Sequence, residues 1–504
     1  MTGAAVNFPA GDSKAMEELS LPEDVIQPLF EIAKSFDLKE ALQILVKISR
    51  IDDGRADLAS KNVLPLVLKL CQSIPYSSGC DHLALCLKLL RNLCAGNVTN
   101  QSLFVALNGP RIVSAFFSSV PEPDHGIIRF GLQVLANVCL AGREHQQAIW
   151  RCFFPDDFSA IAKVRSQGTC DPLCLVLYVC CDGNASLLVE LCGDKGLPIV
   201  GEIVRTASMV SFRENWFKNI VSWICLDELH FRKLFSILYS GCDSEESDSD
   251  GKLFSTEQAF FLSIMSEIIN ERLMEIAVSI DFASCVFGIL KKSIGIVGSV
   301  SRGKSVLPTG NAAVDVLGYS LTILRDICAQ PRKDNLDDDL ADVVDTILSY
   351  GLLELLVVVL RDLEPPVIIK RAIKQSDNQE ETPSESYSPC PYKGFRRDVV
   401  AVIGNCAFQR KSVQDEIRQK NGMLLMLQQC VTDEDNPFLR EWGIWCVRNL
   451  LEGNVENQKT VAELELQGTV DVAELSGLGL RVEVDPNTRR AKLVNMSPNA
   501  SWGS

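Results

Sequence analysis

NLCAGNVTNQ, residues 92–101, recurs with few changes as NLLEGNVENQ at residues 449–458. Both stretches begin with Asn and reach Gln nine positions later. Two further segments, starting at Asn137 and Asn405, keep the same Asn-to-Gln spacing. Each Asn ends a long apolar stretch, so the recurring unit joins the end of a buried helix to the next helix. Self-similarity of this kind is the sequence signature of a repeat architecture.

The distance between copies sets the kind of repeat. Asn92 and Asn137 are 45 residues apart, and Asn405 and Asn449 are 44 apart. That period is typical of helical solenoids of the armadillo or HEAT type. A weaker copy at Asp326 precedes Asn405 by 79 residues. The excess indicates an insertion between these two copies.

The residues after each Gln also repeat. Gly109 and Gly422 each follow the Gln of their copy by eight residues, and each opens an apolar run. One repeat is therefore a long helix ending near Asn, a short helix through Gln, and a third helix beginning near Gly. This is the three-helix plan of an armadillo repeat. We predict an all-α fold, an armadillo-like right-handed helical solenoid.

Composition shifts divide this predicted array. The acidic run DSEESDSDG separates two halves, and a Ser-, Pro- and Glu-rich stretch indicates the insertion loop. The C-terminal tail loses helical periodicity, and RVEV and AKLV around DPNT predict either a small hairpin or disorder. The predicted segments are a flexible N-terminus 1–20, repeats 21–240, an acidic linker 241–255, repeats 256–470 with an insertion loop 364–394, and a tail 471–504.

Composition and charge limit the classes of function. The net charge is −16 and no basic stripe appears, which argues against nucleic-acid binding. The most apolar stretch, 351–360, is too short to span a bilayer and contains Glu354. The 19 Cys are scattered among apolar residues, as buried thiols of a reducing compartment are. With no signal peptide recognisable at residues 1–19, we expect a cytoplasmic protein without membrane contact.

One short motif resembles a phosphate-binding loop. GSVSRGKS, residues 298–305, fits the pattern G-x-x-x-x-G-K-S. Such a loop needs a strand before it and a helix that begins at Lys-Ser, yet Pro308 and Gly310 follow almost at once. A Gly- and Ser-rich loop between helices is the alternative. No metal-ligand spacing and no catalytic pair stands out, so we predict no catalytic, cofactor or metal site.

The last repeat has the clearest helix. Asn436 and Pro437 suit its N-cap and first position. Four side chains then fall on one face at helical spacing: Phe438, Trp442, Trp445 and Asn449. The helix is apolar nearly all round, which predicts an inner layer of the stack. The aromatic residues are either core or self-association anchors.

Two further sets of candidate residues remain open to two interpretations. Asn92, Asn137 and Asn405 either bind an extended peptide in a groove between the long helices or satisfy backbone carbonyls at helix ends. The acidic run 243–251 is either a solvated linker or a phosphoacceptor tract, with Ser244, Ser247 and Ser249 as candidate sites.

The C-terminal repeats also resemble a known family. NPFLREWGIWCVRNLLEGNVENQ (436–458), preceded by GNCAFQRKSVQDEIRQKNGMLLMLQQC (404–430), is similar to the C-terminal domain of ataxin-10 proteins over about 395–470. Arg-Glu-Trp (440–442) and Arg-Asn-Leu (448–450) carry the match, together with Glu-Asn-Gln (456–458). The resemblance implies a cytoplasmic armadillo-repeat protein without known catalysis. It also implies homo-oligomer formation through the C-terminal region.

We therefore expect a non-enzymatic scaffold that binds proteins and self-associates in signalling, cell division or development. A solenoid offers an extended surface for such partners. A helical-repeat regulator of a GTPase is an alternative of a different class. A nucleotide-binding enzyme acting through residues 298–305 is a further alternative.

Overall fold

A computed structural model of the chain describes residues 38–118, 124–213, 215–239, 253–273, 275–330, 342–376, 387–463, 480–484 and 491–495. These residues are almost entirely helical, and the predicted all-α, armadillo-like class is confirmed. The predicted flexible N-terminus and most of the acidic linker lie outside the described residues. The chain forms two compact units, residues 1–296 with 308–330 and residues 297–307 with 331–504.

Seventeen α-helices are described in the first unit. They are α1 (Leu38–Ile48), α2 (Asp52–Ser60), α3 (Val63–Ser73), α4 (Tyr76–Cys94), α5 (Val98–Ala106), α6 (Gly109–Ser118), α7 (His125–Cys139), α8 (Arg143–Phe153), α9 (Asp156–Ala162), α10 (Gln167–Cys181), α11 (Ala185–Leu191), α12 (Leu197–Met209), α13 (Asn215–Ser222), α14 (Phe231–Tyr239), α15 (Thr256–Glu271), α16 (Ile280–Ser293) and α17 (Ala312–Cys328). A π turn, Trp223–Asp227, extends α13, and a 3₁₀ turn, Ile294–Ile296, follows α16.

The long helices of the first unit stack in succession. α4 packs against α7, α7 against α10, and α10 against α13, while α15 packs against α17. The reason lies in the sequence of each long helix. α7 buries residues on every side, among them Ile128, Leu132 and Leu135. A helix that is apolar all round must be covered by neighbours on both sides, which a stack provides.

The second unit has the remaining described helices and two strands. They are α18 (Val343–Ser349), α19 (Leu352–Asp362), α20 (Val367–Ser376), α21 (Phe395–Ala407), α22 (Lys411–Gln419), α23 (Gly422–Leu427), α24 (Leu439–Leu451), α25 (Val455–Glu463), β1 (Leu480–Val484) and β2 (Ala491–Asn495). Its core is α21, which packs against both α19 and α24. β1 and β2 pair antiparallel with Val482 opposite Leu493, so of the two alternatives for the tail the structure has the hairpin.

The compact units do not divide at the acidic linker 241–255. α12 and α14, which precede it, pack against α15, which follows it. Ser255 belongs to α15 as its N-cap, since its hydroxyl accepts from the Gln258 N–H and the Gln258 side chain accepts from the Ser255 N–H. A short polar run therefore interrupts the sequence without separating two hydrophobic cores.

The stretch 364–394, predicted as an insertion loop, has structure of its own in its described residues. It begins with α20, and residues 387–394 then run beside α19, where the Ser388 N–H donates to the Asp362 carbonyl at 2.9 Å. The polar composition of the stretch as a whole hid this helix, although half of the residues of α20 are apolar. Residues 377–386 lie outside the described residues.

Among the described helices, none alone is long and apolar enough to cross a membrane. The pair α18 and α19, bent by 62° at the break between them, meets the length and composition test only when its two helices are combined.

Candidate functional site

The last fully described long helix, α24, begins later than the sequence predicts. Asn436 is not its N-cap, because the Asn436 side-chain oxygen accepts from the Arg396 N–H at 3.0 Å. Phe438 takes the N-cap position in the left-handed region, at φ +66°. Asn436 and Pro437 thus form the link between α21 and α24 rather than the first turn of α24.

One side of α24 is held firmly against the preceding repeat. The Asn449 amide donates to the Gly404 carbonyl of α21 at 2.9 Å. A Cβ atom added at Gly404 would lie 3.1 Å from the Cys446 Cβ, so the two helices approach closely. Gly443 faces the backbone of residues 429–430 in the same way. Because these residues are small, the backbone of α24 can approach its neighbours closely.

The opposite side of α24 is open. Phe438 is 68% exposed, Ile444 52% and Trp445 42%. We call these three residues the exposed face. The Arg448 guanidinium lies over the Trp445 ring, 4.9 Å from its centroid. The prediction that α24 is an inner layer is therefore wrong for this face, since among the described residues none buries it.

The four candidate residues of this helix differ in burial. Phe438 and Trp445 lie on the exposed face, and Trp442 beside them is half-buried. Asn449, two turns further along, is 1% exposed and serves the packing on α21. Sequence reasoning missed Ile444. Its position between Glu441 and Arg448 on the helix surface is the signal that could have placed it outside.

The repeated Asn residues are joints between neighbouring repeats. Asn137 donates its side-chain amide to the Arg91 carbonyl at 2.8 Å, just as Asn449 donates to the Gly404 carbonyl. In both cases the acceptor is the residue that precedes the Asn of the previous repeat. The hydrogen bond from the Asn amide therefore joins equivalent residues of successive repeats in both compact units.

The other two Asn candidates are buried. Asn92 donates to the Ser49 hydroxyl at 2.9 Å, and Asn405 is 7% exposed. The side-chain amides of Asn92 and Asn137 thus donate to atoms of the preceding part of the helical stack. The geometry supports the structural interpretation of Asn92 and Asn137 over the peptide groove.

The repeated Gln residues complete the joint. The Gln101 amide donates to the Cys94 carbonyl at 2.8 Å and to the Asn137 carbonyl at 2.9 Å. The Gln414 amide makes the matching bonds to the carbonyls of Ala407 and Asn449. Each Gln thus satisfies an orphan carbonyl at the end of its own long helix and one on the next repeat.

The phosphate-loop motif does not have a phosphate-loop structure. A 3₁₀ turn rather than a strand precedes residues 298–305, and α17 begins only at Ala312. The Gly303 N–H, which would face a phosphate in such a loop, donates to the Cys390 carbonyl at 3.0 Å. A side chain at Gly303 would collide with the Pro391 carbonyl. The loop instead lies along the second unit.

The described thiols are free and mostly buried. Burial raises the pKa of the Cys94 thiol to about 12 and that of Cys192 to about 11. Burial likewise raises the pKa of Cys225 and Cys446. The thiolate is the reactive form, so these groups are poor nucleophiles near neutral pH. Nowhere in the described ranges do three His, Cys, Asp or Glu side chains group as metal ligands.

Ser244, Ser247 and Ser249, the candidate phosphosites, lie outside the described residues. Their assignment stays a prediction from the sequence.

Comparison with known proteins gives a consistent result. Residues 395–494 match a family model described as the spinocerebellar ataxia type 10 protein domain. The chain is 26% identical over 433 residues to Ataxin-10 of Xenopus tropicalis, an alignment that covers 83% of this chain and 82% of that protein.

Shorter segments match other relatives at higher identity. The chain is 39% identical over 95 residues to the Ataxin-10 homolog of Dictyostelium discoideum, covering 19% of this chain and 16% of that protein. It is 38% identical over 90 residues to Ataxin-10 of Homo sapiens, covering 18% and 19% respectively. Likeness along most of one relative, together with the domain match at the C-terminal repeats, agrees with the armadillo-like architecture, and the chain belongs to the ataxin-10 family.

Proposed function

We propose that this chain is a non-enzymatic, cytoplasmic armadillo-repeat scaffold that self-associates through its C-terminal repeats. In this proposal it brings protein partners together in signalling, cell division or development. Family membership supports the scaffold role, and the matching family model carries homo-association in its name. The observation that carries the proposal is the exposed face of α24.

The backbone conformation of Phe438 lowers the stability of the isolated chain. A bulky residue in the left-handed region loses about 1–2 kcal/mol relative to an ordinary backbone conformation. Because its ring is 68% exposed, burial within the chain offsets little of that cost. Gly or Asn would suit this backbone better. Folding alone therefore gives no reason for Phe here, whereas a partner that covers the ring does.

The rest of the exposed face has the composition of an interface. Trp445 under the Arg448 guanidinium, beside Phe438, gives two aromatic residues and an arginine in one patch. These residue types are enriched at the centres of protein interfaces. A patch of this kind on each of two copies can form an isologous dimer, in which the same surface meets itself.

The test is the change of Phe438 to Asn in the full chain, alone and with Trp445→Ala. Asn tolerates the left-handed conformation, so we expect an unchanged or higher melting temperature. We expect the molar mass from light scattering to fall towards that of the monomer at a concentration where the parent chain is associated. A loss of assembly without a loss of stability separates an interface role from a core role.

Tyr350→Asn is the matched control, since Tyr350 is also an exposed aromatic residue of the second unit (56% exposed). Its replacement should leave the molar mass unchanged. A parent chain that is monomeric over the accessible concentration range would overturn self-association. So would an assembly that survives Phe438→Asn with Trp445→Ala.

A further inference from the structure

Three cationic side chains of the first unit converge on one aromatic ring. The Lys88 ammonium lies 4.7 Å from the Phe130 ring centroid, and the guanidinium carbons of Arg91 and Arg129 lie 5.9 and 4.7 Å from it. Lys88 and Arg91 belong to α4, and Arg129 belongs to α7, the next long helix of the stack. We call Lys88, Arg91 and Arg129 the cationic cluster. The sequence shows no basic stripe because the members come from different repeats.

The cationic cluster has no anionic partner within the described part of the chain, where no carboxylate lies within ion-pair distance of its members. Arg91 donates instead to neutral side-chain oxygens, those of Gln133 at 2.9 Å and of Asn92 at 2.9 and 3.1 Å. Asp81 on α4 lies near enough to feel the Lys88 charge, yet it pairs with Lys39. This arrangement is notable in a chain with a net charge of −16.

The members of the cluster repel one another. Burial lowers the pKa of Arg91, and the nearby positive charges of Arg129 and Arg50 lower it further. Interaction with the ring of Phe130 offsets part of the repulsion, by about 0.5–2 kcal/mol for each cation. An anion placed among the three would remove the rest. The cluster is thus better suited to a complex than to the free fold.

The members of the cationic cluster lie at the surface of the first unit. Arg129 is exposed, and Lys88 and Arg91 are half-buried, so each of the three residues is in part accessible to solvent. Gly168, at the start of α10, faces Arg129, and a Cβ there would lie 3.3 Å from the Arg129 Cδ. The backbone of the following repeat therefore closely approaches the aliphatic part of Arg129 without adding a side chain there.

We propose that the cationic cluster is a docking site for an acidic segment of a partner protein. A short run of carboxylates complements the three cations in charge. A nucleic acid fits less well, because a long polyanion would be repelled by the net negative charge of the chain. Phe130 is buried under the cations and offers no open face for base stacking. The site lies in the first unit and does not depend on self-association through α24.

The experiment measures binding of a short fluorescent peptide of Asp, Glu and Gly to the full chain at low salt, by fluorescence anisotropy. We expect the acidic peptide to bind and a Lys–Gly peptide of equal length to bind less at this site. Changing Lys88 and Arg129 together to Glu should weaken binding of the acidic peptide by about tenfold or more, since repulsion replaces attraction. Raising the salt concentration should weaken binding to the parent chain.

A matched variant controls for the change in net charge of the chain. Lys69→Glu with Arg151→Glu makes the same change in net charge at two exposed positions on α3 and α8 of the same unit. Its affinity for the acidic peptide should stay within about twofold of the parent, because these residues lie outside the cluster. Equal weakening by both double variants would overturn the proposal, as would no binding of the acidic peptide to the parent chain.

Two further measurements keep the result interpretable. Melting temperatures show whether each variant is folded, and if the Lys88/Arg129 variant is not, Arg129→Gln alone serves, with a smaller loss of affinity expected. A single-stranded oligonucleotide of equal charge is tested in parallel. If it binds more tightly than the peptide and loses affinity in the same variant, the site is for nucleic acid and the peptide proposal is wrong.

Discussion

At the scale of single residues, the joint between repeats depends on a few buried amides. Gln414 is 2% exposed, and its side-chain nitrogen donates to the Asn449 carbonyl at 2.8 Å and to the Ala407 carbonyl at 3.2 Å. Its side-chain oxygen accepts from the Asn454 amide at 3.2 Å. One buried side chain thus joins the C-terminal ends of α21 and α24.

Changing Gln414 to Met tests the energetic importance of this joint. Met fills a similar volume but removes the side-chain donor from the carbonyls of Ala407 and Asn449, of which Ala407 keeps a longer bond from the Arg410 N–H at 3.4 Å. We expect a loss of about 1–3 kcal/mol, the usual cost of unsatisfied buried polar groups. The measurement is the midpoint of urea unfolding followed by tryptophan fluorescence, to which Trp442 and Trp445 of the second unit contribute.

Gln458→Met is the matched control, because Gln458 holds the equivalent place in the last repeat. Its amide donates to the Leu451 carbonyl at 2.8 Å but is exposed to solvent. Water can replace that bond, so we expect less than about 0.5 kcal/mol. Equal losses at Gln414 and Gln458 would contradict the view that burial of the joint makes it important.

The same residues show how far the sequence could be read. The spacing of Asn and Gln predicted the repeat and the helix ends, because both follow from the local chain. The partners of the amides could not be predicted, since backbone carbonyls are identical in every residue and only packing selects one. The peptide-groove interpretation of Asn92 and Asn137 remained open for that reason. Only the position of the neighbouring helix decides it.

At the scale of elements, α24 shows where local signals mislead. The acidic residues 433–435 with Asn436 and Pro437 form a strong N-terminal helix signal. Asn436 is instead used for a bond to the Arg396 N–H of α21, and α24 starts at Leu439. An apolar pattern around the whole helix suggested burial on all sides. The pattern does not distinguish a face covered by a neighbour from a face kept for a partner.

The close approach of α24 to the preceding loop gives an element-scale prediction. A Cβ at Gly443 would lie 2.5 Å from the Gln429 carbonyl oxygen and 2.9 Å from the Cys430 nitrogen. Both atoms belong to the backbone, so Gly443→Ala forces α24 away from residues 429–430. We expect a loss of about 1–3 kcal/mol, as for other overpacked sites, seen as a lower unfolding midpoint.

Gly288→Ala is the opposite case and serves as the control. Gly288 lies inside α16, and a Cβ there meets no atom within 4 Å. Alanine has the higher helix propensity, so we expect a gain of roughly 0.5–1 kcal/mol. If Gly443→Ala also raised stability, the close contact between α24 and residues 429–430 would be absent in solution.

At the scale of the whole molecule, the path of the chain between its two units is not a single crossing. The chain leaves the first unit after residue 296, contributes residues 297–307 to the second, and returns to the first at 308. We call residues 297–307 the strap segment. The sequence did not predict it, because its Gly and Ser content is the same in a loose loop and in a bound one.

Specific bonds hold the strap segment on the second unit. Two backbone hydrogen bonds fix it. The Ser305 carbonyl accepts from the Lys393 N–H at 2.9 Å, and the Gly303 N–H donates to the Cys390 carbonyl at 3.0 Å. Arg302 pairs with Asp435 at 2.8 Å and also with Glu364. Within the phosphate-loop motif GSVSRGKS, Gly303 thus allows close backbone contact and Arg302 forms ion pairs. These contacts account for Gly303 and Arg302 without a nucleotide.

Release of the strap segment should be measurable as proteolysis at Arg302 and Lys304. Changing Glu364 and Asp435 together to Ala removes both partners of Arg302. Exposed ion pairs contribute about 0.2–1 kcal/mol each, so we expect about a fivefold rise in the released population and in the rate of tryptic cleavage at these two residues. Mass spectrometry of early digestion products gives the rate. Glu354→Ala with Glu416→Ala, which removes the two partners of Lys420 elsewhere in the second unit, should leave that rate unchanged. A parent chain that is already cut at Lys304 as fast as an unfolded peptide would show that the strap segment is not bound.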